Sequence, residues 1–111
     1  MNYDGRVFRS HAAETSAGGA TPTGHYHQSG DLVWAEFSGG AVRLGRLVGT
    51  AAPDGVLTAA YSQVLDDGRV VCGTCLSTPE PLPDGRVRLR EDWTRTDGTR
   101  GTSWIEEIPR D

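Results

Sequence analysis

The dipeptide Asp-Gly occurs five times in this 111-residue chain, at Asp4-Gly5, Asp54-Gly55, Asp67-Gly68, Asp84-Gly85 and Asp97-Gly98. Ser29-Gly30 and Gly39-Gly40 add two further turn signals. Asp-Gly suits tight hairpins, because glycine accepts positive φ at little steric cost. The runs between these marks are about seven to ten residues long and have strand character. Eight strands are expected, at roughly 5–10, 22–28, 32–38, 41–50, 56–65, 69–78, 86–96 and 99–108. Alternation is clearest in "RVRLREDWT", where Val87, Leu89, Glu91 and Trp93 share one face and Arg88, Arg90, Asp92 and Thr94 the other. No useful window repeats at the helical period, so little helix is expected. The Thr/Ala/Gly stretch 12–21 reads as a flexible loop and "PEPLPDG" as a proline-stiffened connection.

Hairpin after hairpin with no helical crossover means an antiparallel meander. Left open, eight such strands would expose two long edges, an aggregation hazard that closure removes. The expectation is an all-β, eight-stranded antiparallel up-and-down barrel of the calycin or lipocalin-like kind, one domain over residues 1–111, with a two-sheet sandwich as the alternative.

Charge narrows the function. All 11 basic residues are Arg and none is Lys, which excludes Schiff-base chemistry and the phosphate-binding lysine of a P-loop. With 15 acidic residues the net charge is −4, and no basic stripe invites nucleic acid. Abundant Arg, Ala and Gly beside a single Asn suggest a GC-rich bacterial genome. "MNYDGRVFRS" lacks the apolar run of a signal peptide, so the expectation is a cytoplasmic protein with reduced thiols and no membrane segment. No cofactor motif stands out, and a homodimer is left open.

Both cysteines lie in Cys72-Gly73-Thr74-Cys75. Strand residues an odd number apart point to opposite faces, so the pair is expected to be split by the sheet rather than to form a redox or zinc site. A bulge at Gly73 is the alternative that would bring them together. In "HYH", His25 and His27 share a face and would need a third ligand to hold a metal; otherwise they are edge or surface polar residues.

Glu91 is the more informative acid, because it lies between Leu89 and Trp93 on the face expected to point inward. A buried carboxylate either pairs with an arginine, for which Arg43, Arg46 and Arg95 are candidates, or stays protonated with a raised pKa. In the second case it can act as a general acid or base near neutral pH. Gly45, Gly49, Ala59 and Gly73 fall at matching strand positions. They either leave the interior underfilled, with room for one small ligand, or serve close strand packing. Tyr61, Trp93, Trp34 and Gln63 are expected to line such a space.

"MNYDGRVFRS", "GDLVWAEFSGG", "STPEPLPDGRVRLREDW" and "SWIEE" together resemble a family of small uncharacterised bacterial proteins of about this length, over most of the chain. Some members carry the label N-acetylglutamate synthase. The resemblance brings no catalytic or ligand residues with it. The family pattern matches Cys75 but not Cys72, and fits His25 and Tyr26 but not His27. The label implies an acetyl-CoA-dependent transferase, and "RLVGTA" at residues 46–51 does match the short pyrophosphate-loop string of such enzymes. The next residues, "APDGVL", read as a turn into another strand, so no helix N-terminus is expected to gather amides around a phosphate. There is no G-x-S-x-G nucleophile motif.

Three functions stay open. The first is a barrel that binds a small, partly apolar molecule of unknown identity through Tyr61, Trp93, Trp34 and Gln63, with Glu91 as polar anchor. The second is an enzyme of isomerase, dehydratase or cyclase type, in which Glu91 moves a proton with Tyr61 or His25 as its partner. The third is a filled structural barrel.

Overall fold

In the computed structural model, which describes residues 1–12 and 17–109, eight strands close into one antiparallel barrel in chain order. They are β1 (Val7–Ser10), β2 (Thr23–Ser29), β3 (Leu32–Gly39), β4 (Val42–Ala51), β5 (Leu57–Leu65), β6 (Val70–Pro81), β7 (Val87–Arg95) and β8 (Arg100–Glu107). The ring is completed where β1 meets β8, with Phe8 opposite Glu107 and Ser10 opposite Ile105. The expected up-and-down barrel is therefore the observed one, and no helix occurs among the described residues.

Four of the Asp-Gly pairs build one repeated turn. In Leu65–Arg69 the amide of Gly68 donates to the carbonyl of Leu65, and the amide of Leu65 donates to the carbonyl of Arg69. Gly68 has φ +87°, while among the described residues only glycines take positive φ. The turn is thus a three-residue connection ending on a left-handed glycine, not the two-residue type that would also need a left-handed Asp. Asp67 Oδ1 accepts the amide of Arg69 at 3.0 Å, and Asp54, Asp84 and Asp97 do the same for Val56, Arg86 and Thr99. Aspartate fixes the turn and glycine supplies its conformation, which explains why both recur.

One end of the barrel is sealed. The segment before β1 folds under it and buries Tyr3 completely. The Tyr3 hydroxyl donates to the carbonyl of Gly55, and its amide donates to Gln28 Oε1 at 2.8 Å. Its ring stacks on Tyr26, and Tyr26 meets Phe8 edge-on at 5.0 Å. Val33, Leu57 and Leu89, all fully buried, complete this floor. Beside it, Arg6 Nη1 lies 2.6 Å from Oε1 of buried Glu107, which also accepts the amide of Val87.

Two local readings change. The "PEP" stretch belongs to β6, where Pro79 pairs with Leu89 and Pro81 with Val87. Pairing with β5 ends at Ser77, so these prolines lie where β6 has one neighbour and a missing N–H leaves no gap in a ladder. Of the loop expected at 12–21, residues 13–16 lie outside the described residues, and Ala17 and Ala20 bridge around Gly18-Gly19.

Candidate functional site

Alternation along each strand decides what the interior contains. On β7, Val87, Leu89, Glu91, Trp93 and Arg95 point inward in order from the sealed end to the open one. Above the floor, the barrel encloses a cavity of about 450 Å³ that opens at the end carrying the turns after β3, β5 and β7. Its middle is aromatic and aliphatic, with Phe37, Leu47, Tyr61 and Trp93 on the walls. Arg95 and His11 stand towards the rim, and Gln63 lines the wall of β5 near the same end.

The wall is smooth because glycines face aromatics. Phe37 lies opposite Gly45, Tyr61 opposite Gly73 and Trp93 opposite Gly101. A Cβ on Gly45 would overlap the Phe37 ring, and one on Gly101 would come 2.6 Å from Trp93 Cζ2. The Phe37 and Trp93 rings therefore lie over a neighbouring glycine, whereas a Cβ on Gly73 would strike the carbonyl of Thr94 on β7. Both readings of the small residues hold: they pack closely, and by doing so they leave the space open. Gly49 and Ala59 meet lower down, where a Cβ on the glycine would strike Ala59.

Glu91 sits at the bottom of this space. Ser77 Oγ donates to its Oε2 at 3.0 Å, the Cys75 thiol approaches the same oxygen at 3.7 Å, and Cys75 Sγ and Ser77 Oγ are 3.3 Å apart. Both bonds to Glu91 reach Oε2, and among the described residues none is made to Oε1; Glu91 lines the cavity. Burial pushes the Glu91 carboxyl above the usual carboxylate range, against the opposing pull of the Ser77 and Cys75 hydrogen bonds. Burial, and then the Glu91 charge, push the Cys75 thiol up to about 12. Tyr61 is raised by burial, partly offset by a hydrogen bond to Arg95, whose guanidinium also lies 4.9 Å from the centre of the Trp93 ring.

The arginine partners considered for Glu91 are elsewhere. Arg43 and Arg46 lie exposed on β4, Arg95 engages Tyr61 and Trp93, and no arginine forms an ion pair with Glu91 among the described residues. Two expected lining residues are also displaced. Trp34 is on the outer face, because Val33, Ala35 and Phe37 take the inward phase of β3, and its ring stacks on His27 at 5.4 Å. His25 is exposed for the same reason, as Tyr26 between the two histidines points into the core. His27 instead meets Glu36 Oε1 at 3.0 Å. Among the described residues no cluster of three or more His, Cys, Asp or Glu has the arrangement of a metal site. Cys75 faces the cavity while Cys72, three residues away, lies opposite Ser62 on the other face of β6.

Tyr61, Trp93, Gln63 and Glu91 are thus brought together, and Trp34 and His25 are not. Phe37, Leu47, Cys75 and Ser77 belong with them and were missed. Their signal was the alternation of Phe37 with Val33 and Ala35, and of Ser77 with Cys75 and Gly73. The "RLVGTA" string runs inside β4, with both neighbours paired and no helix after it. The sequence model of the family described as "Avidin-like protein" matches residues 1–108. No curated protein and no solved structure gives a match.

Proposed function

The chain belongs to the avidin-like family, and from that premise we propose that it is a small-molecule-binding barrel whose ligand occupies the space between Glu91 and the rim. The observation that carries this reading is the open cavity of about 450 Å³, a volume within the roughly 300–1,000 Å³ common for ligand sites. Apolar walls around a few convergent polar groups are what such sites use to combine affinity with orientation.

Binding is favoured over proton-transfer chemistry by what surrounds the acid. A general acid or base works with a second group that takes or gives the proton near the working pH. Within reach of Glu91 are Cys75, held near 12, and tyrosines raised by burial. His25, the histidine considered as partner, is outside the barrel.

The test is ligand-dependent stability. The family name makes biotin the first compound to titrate, then small metabolites with one polar and one apolar end. A true ligand at a hundredfold excess over its Kd raises unfolding free energy by about 2.7 kcal/mol and quenches or shifts the emission of Trp93. Stabilisation should be lost in Gly45→Ala, where Phe37 is driven into the lumen. A ligand that stabilises both proteins equally binds elsewhere, and the reading then fails for it.

A further inference from the structure

The cavity is electrically asymmetric. Its floor carries the Glu91 carboxyl, hydrogen-bonded among the described residues through Oε2 alone, and its rim carries an arginine. Glu91 and Arg95 are four residues apart on β7, hence roughly 13 Å along the strand. The groups facing Glu91 from every packed element are neutral or proton-bearing: Tyr3 from the N-terminal segment, Tyr26 from β2, Tyr61 from β5, Cys75 and Ser77 from β6, and Ser103 from β8. Asp92 points outward and takes the Thr102 hydroxyl. Arg6, the cation at the floor, is held by Glu107. Among the described residues, therefore, no cation is placed to balance a charge on Glu91.

Resting on the binding reading above, we infer that the ligand carries a cationic, N–H-donating head, an amidinium or guanidinium, which seats on Glu91, and an apolar body that lies between Phe37 and Trp93. These two rings stand on opposite walls, because β3 and β7 are four strands apart in an eight-stranded ring. A planar head with two parallel N–H groups matches a carboxylate better than a single donor does, and among the described residues Glu91 has only its Oε2 engaged, by Ser77 and Cys75. Aromatic faces further favour a cation over an anion. Occupation by a cation also favours the ionised carboxylate, so binding releases a proton from any protein molecule in which Glu91 is protonated.

Benzamidine, benzamide and benzoate share one body and differ in head charge, so they separate the cases. Calorimetric titration should show benzamidine bound about tenfold or more tightly than benzamide, with benzoate weakest. In Glu91→Gln the preference for benzamidine should disappear while benzamide binding persists, with an unchanged fold by circular dichroism. In wild type, titration in buffers of different ionisation heat should show proton release, retained in His11→Gln, which removes the histidine at the rim. Benzamide or benzoate binding as tightly as benzamidine overturns the cationic head and leaves the binding barrel standing. Absence of binding by all three overturns the head assignment and the cavity reading together.

Discussion

Gly45→Ala is a one-carbon perturbation with a large expected effect. The new methyl would sit 2.5 Å from Phe37 Cδ2 and Cζ and closer still to Cε2, whereas carbon atoms pack at about 3.5–4.0 Å. The ring must withdraw by at least about 1 Å, and the strand behind it leaves only the lumen to move into. Overpacking of this kind costs about 1–3 kcal/mol, a fall in Tm of roughly 4–15 °C for a domain of this size. The informative measurement is the double-mutant cycle with Phe37→Ala. With the ring gone, Gly45→Ala places an alanine at an ordinary strand position, where it should stabilise by roughly 0.5–1 kcal/mol. The change of sign implies a coupling of about 1.5–4 kcal/mol, read by thermal or urea unfolding of the four proteins. Equal costs of Gly45→Ala in both backgrounds would refute the idea that the aromatic wall rests on its glycines.

The floor of the barrel supports three further tests. Because burial raises Glu91, the native state keeps a proton that the unfolded chain has lost, and stability falls as pH rises from the ordinary glutamate value through the raised native one. Glu91→Gln should remove that slope and exceed wild type in stability above the window; an unchanged slope would mean that another group carries it. Tyr3→Phe leaves the Gly55 carbonyl without its donor and should cost about 1–3 kcal/mol in urea unfolding, against no change if water replaces the hydroxyl. An aromatic disulfide reagent at neutral pH should label Cys72 quickly and Cys75 only on unfolding, since a thiol near 12 supplies almost no thiolate. Rapid labelling of both would place the Cys75 sulfur in contact with solvent as thiolate.

The strands and their closure were legible because every connection announces itself. Asp-Gly marks four turns whose aspartate and glycine have separate, local jobs, and a meander with no crossover leaves few topologies. The inward row of β7 was equally legible, since one of its faces is strictly polar at Arg88, Arg90, Asp92 and Thr94. β3 gave no such contrast. Leu32 and Trp34 are as apolar as Val33, Ala35 and Phe37, so either face could have been the inner one. The phase is set by partners on the next strand, Phe37 opposite Gly45 and Val33 opposite Gly49. The hydrogen-bonded trio of Glu91, Ser77 and Cys75 was out of reach for a similar reason: it exists only because β6 and β7 pair in one register, with Ser77 facing Glu91.

The pairing of β1 with β8 brings the two ends of the barrel sequence together at the sealed base, where the amide of Ile108 donates to the carbonyl of Val7 at 2.8 Å. It is also the most distant strand pairing in sequence, and the ordering entropy of nearly the whole polypeptide weighs on this single seam. A circular permutant that joins the termini with a short linker and reopens the chain between Asp67 and Gly68 would make the seam a pairing of strands consecutive in sequence. The ring of strands would be the same object, entered at a different point.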